Sequence, residues 1–245
     1  MAALIISVAS VQAQKSQVIA HRGYWKTAGS AQNSITSLQK ADSIHCYGSE
    51  FDVWLAKDNK LVVNHDPVYK MKYMEYSKGD ALTGLKLSNG ENLPSLQKYL
   101  EAGKKCNTKL ILELKAHNSK KRETKAVQEI LAMVKKMGLE DRMEYITFSL
   151  HAMKEFIRLA PAGTPVFYLN GELSPKELKD LGAAGLDYHM GVIKKHPEWI
   201  KEAHDLGLKV NVWTVDKAED MKWLIDQKVD FITPNEPIVA QDMLK

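Results

Sequence analysis

The sequence predicts a closed (β/α)8 barrel, and three observations carry that prediction. Short β-rich apolar runs alternate with amphipathic stretches from Gln17 onward. Gly or Pro stands at the joints, at Gly103, Gly138, Pro161, Gly185 and Gly207, where helices stop. The alternation gives roughly eight strand–helix units in about 230 residues, the size that one barrel domain requires.

Taken in order, Val18 to Ala20 precedes a helical stretch from Ser34 to Ile44. Glu50 to Leu55 and Leu61 to Val63 precede Leu96 to Lys105. Leu110 to Leu114 leads into a charged helix from Thr124 to Met137, Tyr145 to Phe148 into Ala152 to Leu159, and Val166 to Leu169 into Pro175 to Leu181. Leu186 to Met190 pairs with Glu198 to Leu206, Val210 to Val215 with Ala218 to Ile225, and Phe231-Ile232 with Val239 to Leu244. A doubly wound open sheet is the competing architecture, but the first strand runs into His21-Arg22-Gly23 and not into a phosphate-cradling GxGxxG. Tyr69 to Pro94 has no clear period and reads as an excursion over the top of the barrel, where such folds place substrate-selecting loops.

The 245 residues are 44% hydrophobic and 26% charged, which excludes a disordered, collagen-like or multi-spanning membrane chain. A net charge of +4 suits anionic small molecules and is too diffuse for nucleic acid. Cys46 and Cys106 lack CxxC spacing and a surrounding His cluster, so they read as buried thiols and not as a disulfide or a zinc site. Met1 to Gln14 is a short apolar run with Val11 and Ala13 at the −3 and −1 positions of a cleavage site. It reads as a secretory signal lacking its positive n-region, or as an opening strand; the first reading makes residues 15–245 the mature domain, periplasmic or secreted. No Cys follows it to take a lipid anchor, and no other stretch reaches the length of a membrane span. The oligomeric state is not legible.

Chemistry concentrates at the C-terminal ends of the strands, which in a barrel form the active site. Glu50 and Asp52 are two apart on one strand, so both carboxylates share a face. They repel unless something positive lies between them: a divalent cation, Mg²⁺ or Ca²⁺, or lysines from neighbouring strands. Glu113 and Lys115 repeat the device in an otherwise apolar strand. Glu113 then either completes a metal site with Lys115 facing an anionic ligand, or simply pairs with Lys115. His21 and His65 stand at strand ends with Arg22 beside the first, and two imidazoles there suit general acid and base. Each on its own also fits a hydrogen-bonded structural role. The remaining histidines, at 45, 117, 151, 189, 196 and 204, have no ligand spacing and read as structural. Trp213 shares a strand face with Asn211 and Val215 and either walls a pocket or fills the core. Three carboxylates, two histidines, an Arg and a Lys together describe a phosphate-ester site.

These residues resemble the glycerophosphodiester phosphodiesterase family. The resemblance rests on His21-Arg22-Gly23, Asn33-Ser34, Glu50-x-Asp52, Lys57 to Asp66, Glu113-Leu114-Lys115, Val212 to Val215 and Phe231 to Pro237, in order over nearly the whole chain. It implies a TIM barrel that hydrolyses glycerophosphodiesters to sn-glycerol 3-phosphate and an alcohol with Ca²⁺ or Mg²⁺. Carried over by position, Glu50, Asp52 and Glu113 are metal ligands, His21 and His65 the acid–base pair, and Arg22 and Lys115 phosphate clamps. Four positions depart from the pattern: Gln32 stands for a usual Glu, Ala56 for a Thr, Asn59 for a Gly and Asn235 for a frequent Asp. Asn59 tolerates the left-handed turn, and Asn235 is expected to alter substrate contacts. Two rival functions follow from the same residues. A related phosphodiesterase acting on intact lipid would use the Met- and Tyr-bearing stretch Tyr69 to Tyr76, and a non-catalytic anion-binding barrel would have lost a His or a carboxylate, which this chain has not.

Overall fold

Alternating side chains dictate the architecture. In Leu110-Ile-Leu-Glu-Leu114 the leucines join the large core beneath the helices, while Ile111 faces a second, smaller core and Glu113 lies on its side of the strand. The computed structural model, which describes residues 15–245, repeats this two-faced pattern around a closed sheet. The elements are β1 (Gln17–Ala20), α1 (Ile35–Ser43), β2 (Gly48–Leu55), β3 (Leu61–Val63), β4 (Val68–Tyr69), β5 (Lys72–Tyr73), α2 (Gly79–Thr83), α3 (Leu96–Gly103), β6 (Lys109–Leu114), α4 (Lys120–Met137), β7 (Met143–Thr147) and α5 (Leu150–Leu159). There follow β8 (Val166–Tyr168), α6 (Pro175–Asp180), β9 (Gly185–His189), α7 (Met190–Lys195), α8 (Glu198–Asp205), β10 (Lys209–Trp213), α9 (Ala218–Asp226), β11 (Phe231–Thr233) and α10 (Pro237–Met243).

The nine-stranded sheet runs β1-β11-β10-β9-β8-β7-β6-β2-β3 and closes through a parallel β1–β2 pairing. Setting aside β3, which lies antiparallel against β2, eight parallel strands form the barrel. Its interior is filled by Ile19, Ile111, Ile146, Phe167, Leu169 and Phe231, and the helices pack outside on Val53, Leu112, Tyr145, Leu186 and Val212. Gly48 is required at the lower end: a Cβ there would lie 2.8 Å from Ile111 Cγ1.

The predicted strand–helix units all appear, with shifted ends. The helix expected from Thr124 begins at Lys120, because Ser119 accepts from the Arg122 amide as its N-cap, and it stops at Gly138 with φ 65°. Asn59 sits at φ 65°, the left-handed turn expected of it. The excursion after β3 contains the β4–β5 hairpin and α2, which pack a satellite core of Trp54, Val62, Met74, Leu82, Leu87 and Leu93 beside the barrel. Cys46 and Cys106 are free and buried, and burial pushes the Cys46 thiol up to about 12. Among the described residues no helix is long and apolar enough to cross a membrane. The signal-or-strand reading of Met1 to Gln14 falls outside the described residues.

Candidate active site

At the C-terminal mouth of the barrel, parallel register brings Asp52 beside Glu113. One oxygen from each of Glu50, Asp52 and Glu113 lies within 4.8 Å of the others, and all three residues are buried. Such a cluster is costly without compensating charge. Lys115 Nζ lies 2.7 Å from Glu113 Oε1 and 3.3 Å from Asp52 Oδ1, and Arg22 Nε lies 3.7 Å from Asp52 Oδ2. Asn33, buried and at φ 59°, donates from Nδ2 to Asp52 Oδ2 at 2.8 Å while its Oδ1 accepts the Asp52 amide. The Arg22 amide donates to Glu50 Oε2 at 2.7 Å, from a residue at φ 57°. Holding an Arg in the left-handed region costs on the order of 1 kcal/mol, which the surrounding contacts must offset.

The three carboxylates do not share one charge state. Burial alone would raise Asp52, but Lys115, His65 and Arg22 together hold it below its ordinary value. Burial, with Asp52 adding repulsion, pushes Glu113 up to about 7. Glu50 is driven well above the usual carboxylate range by burial and then by Asp52 and Glu113. Its Oε1 is buried without a hydrogen-bond partner among the described residues. Three hard oxygen donors, one of them orphaned, fit a divalent cation of the Mg²⁺ or Ca²⁺ type.

Two imidazoles face this cluster from different strands. His21 Nδ1 shares a 2.8 Å hydrogen bond with Asn235 Oδ1, and Asn235 is itself fixed because its amide N–H and Nδ2 both donate to Asp216. With Asn235 oriented that way, His21 Nδ1 is the donor and Nε2 carries the free lone pair. Burial, and then Arg22, lowers His21 to about 4. His65 differs: its Nδ1 contacts the Asp66 carboxylate at 2.8 Å, and its pKa is lowered by burial against the opposing pull of Asp52.

The cavity between them is walled by Trp213, whose Nε1 donates to the Asp187 carbonyl at 2.9 Å and whose ring meets Phe148 edge-on at 5.5 Å. Of the residues singled out from sequence, His21, Arg22, Glu50, His65, Glu113 and Trp213 line this one cavity. Asp52 and Lys115 sit behind it, with the Lys115 ammonium engaged by Asp52 and Glu113 together. Glu113 thus pairs with Lys115 and at the same time belongs to the carboxylate cluster. Gln32 accepts from Arg22 Nη1 at 2.7 Å, so the amide at this departing position orients the guanidinium. His117 is tethered at both ring nitrogens, to the Leu55 amide and the Lys115 carbonyl, in keeping with a structural reading.

Sequence reasoning passed over Asn33 as a support for Asp52, Asn235 as the partner of His21, and Asp187 and Asn211 on the far wall. Asp187 carried a usable signal, a lone acid within an apolar strand.

A family model described as the glycerophosphoryl diester phosphodiesterase family matches residues 21–239. The chain belongs to that family. It is 27% identical over 238 residues to a protein named glycerophosphodiester phosphodiesterase from Caldanaerobacter subterraneus subsp. tengcongensis, covering 91% of this chain and 95% of the other. A crystal structure of a glycerophosphodiester phosphodiesterase from Parabacteroides distasonis superposes with a TM-score of 0.93 at 52% identity, covering 94% of this chain and 97% of that one. The barrel also matches, at a TM-score of 0.79 and 23% identity over 93% and 96% of the two chains, a phosphodiesterase from Oleispira antarctica in complex with the product sn-glycerol-3-phosphate; at that identity the likeness is one of fold.

Proposed function

We propose that this family member hydrolyses glycerophosphodiesters to sn-glycerol 3-phosphate and an alcohol, with a divalent cation and the His21–His65 pair. The observation that carries the reading is the buried Glu50–Asp52–Glu113 cluster lying against two imidazoles in one cavity. Glu50, Asp52 and Glu113 would hold Ca²⁺ or Mg²⁺, which supplies Lewis-acid polarisation of the phosphoryl oxygens. Arg22 stabilises the non-bridging oxygens as negative charge builds. Lys115 acts at one remove, by keeping Asp52 ionised. His21, neutral at pH 7 and held through Nδ1, accepts at Nε2 the proton of the attacking hydroxyl, either water or the glycerol's own 2-hydroxyl. His65, oriented through Nδ1 by the Asp66 carboxylate, donates to the departing alkoxide. A new P–O bond forms as the bond to the alcohol breaks; where the 2-hydroxyl attacks, water opens the cyclic ester in a second step.

The apolar, lysine-bearing hairpin around Met71, which is 93% exposed, keeps intact phospholipid in view as a rival substrate. The site itself favours the small soluble diester, since all seven polar groups lie in or directly behind a cavity within the barrel mouth. We further propose that the mature chain acts in the periplasm or outside the cell, on the strength of the apolar opening run.

The test is to incubate the purified protein with glycerophosphocholine and glycerophosphoethanolamine and measure glycerol 3-phosphate with Ca²⁺, with Mg²⁺ and with EDTA. Metal-dependent release supports the reading. Absence of release from a folded sample with either metal contradicts it and directs attention first to intact lipid and then to an anion-binding barrel.

A further inference from the structure

In the strand order of the barrel, β9 stands four places from β2 and β10 four places from β6, so these two strands face the carboxylate cluster across the cavity. Their inward residues are Asp187 and Asn211, paired in register and both lining that cavity with Thr233. The three are wired in series. Thr233 Oγ1 donates to Asn211 Oδ1 at 2.9 Å, and the Asn211 side chain, paired in register with Asp187, acts on its carboxyl to favour the charged form. Asp187 is only 2% exposed, yet its Oδ1 has no partner among the described residues. A buried carboxyl oxygen left unmatched at a cavity wall, on a side chain fixed by its neighbour, is a site built for a ligand group.

We propose that Asp187, oriented by Asn211, binds the hydroxyls of the glycerol moiety and makes the site prefer a polyol phosphate over phosphate itself. This rests on the phosphodiesterase reading, which puts the phosphoryl group on the opposite wall. Burial raises the Asp187 carboxyl well above the usual range, the Asn211 hydrogen bond opposes this, and Glu113 and Glu144 push it higher. Burial thus favours the protonated carboxyl, which offers an O–H donor beside a carbonyl acceptor. That pair matches an alcohol, which both accepts and donates, and gives no advantage to a cationic headgroup. Trp213 fixes the height of this wall, because its indole N–H holds the Asp187 main chain.

The test is calorimetric binding of sn-glycerol 3-phosphate and of inorganic phosphate to the full chain with Mg²⁺, for wild type, Asp187→Leu, Asp187→Ala and Asp187→Asn. Wild type is expected to prefer glycerol 3-phosphate by about tenfold or more, as losing hydrogen bonds at a matched polar site entails. Asp187→Leu brings the two ligands within about threefold while phosphate affinity holds, and Asp187→Asn, which keeps a donor and an acceptor, retains most of the preference. Asp187→Ala gives the same reading should the leucine variant not fold. Two results overturn the assignment: a preference that survives both truncations, or phosphate affinity that falls in step. A wild type that hydrolyses glycerophosphodiesters but shows no preference also rejects it. A wild type that shows the preference but releases no glycerol 3-phosphate rejects the phosphodiesterase reading and leaves the assignment standing.

Discussion

The two walls of the barrel mouth carry the same residue types to opposite ends. On β2 and β6, Glu50, Asp52 and Glu113 are met by Lys115 and Arg22, and Asp52 is held ionised. On β9 and β10, Asp187 is met by the Asn211 amide, the charges that act on it are those of Glu113 and Glu144, and burial pushes its carboxyl well above the usual range. A carboxyl group's function is thus set by what faces it: cations make one wall a charge-handling surface, and their absence opposite makes a hydrogen-bonding one.

That contrast can be broken in order of effect. Removing a ligand from the charged wall has the largest consequence. Glu50→Gln or Asp52→Asn is expected to lower kcat/KM about 10³-fold or more, since a bound cation contributes several kcal/mol of transition-state stabilisation. Steady-state release of glycerol 3-phosphate over a metal titration measures it, and a loss under tenfold would remove these residues from the metal site. The histidines come next. His21→Ala and His65→Ala should each cost about 10²-fold or more on glycerophosphocholine. On bis(p-nitrophenyl) phosphate, whose leaving group needs no proton, His65→Ala should recover to within about tenfold of wild type while His21→Ala stays impaired. Equal recovery of both would reverse or dissolve the division of labour.

A smaller change sharpens the same point. Asn235→Asp puts a carboxylate where an amide now backs His21. The His21 pKa should rise from about 4, so the acid limb of the kcat/KM profile moves to higher pH. An unmoved limb would mean that another group controls it. The last effect is on stability and leaves the chemistry untouched. His117 has a pKa of about 4 when folded, lowered chiefly by burial, against an ordinary value of 6.5. The native state therefore excludes a proton that the unfolded chain binds: the stability is full above pH 6.5 and is lost as pH falls toward 4, on the order of 3 kcal/mol in all. His117→Gln removes this dependence, so denaturant melts at pH 7.5 and pH 5 should show wild type losing more stability than the variant.

The barrel was legible because burial on both faces of a parallel strand leaves unmistakable apolar runs, and the charged wall because acids interrupt those runs at period two, as at Glu50, Asp52 and Glu113. The excursion around Tyr69 to Pro94 was not, since β4 and β5 are two residues each and of their four side chains only Tyr69 packs on the satellite core, leaving no apolar period to read. Asn235 stands out in the sequence only as a departure expected to alter substrate contacts; its hydrogen bond to His21 spans 214 residues of sequence, and no local pattern encodes it. Asp187 is hidden inside the apolar run of β9, although it interrupts that strand just as Glu113 interrupts β6.

The central claim is that one wall of this cavity binds a divalent cation and the other does not. Calorimetric titration of Ca²⁺ and of Mg²⁺ into chelator-treated wild type, Glu50→Gln and Asp187→Asn tests it directly. The account predicts one ion per chain for wild type and Asp187→Asn, and none for Glu50→Gln. Ion binding that survives Glu50→Gln unchanged, or that is lost in Asp187→Asn, would contradict it.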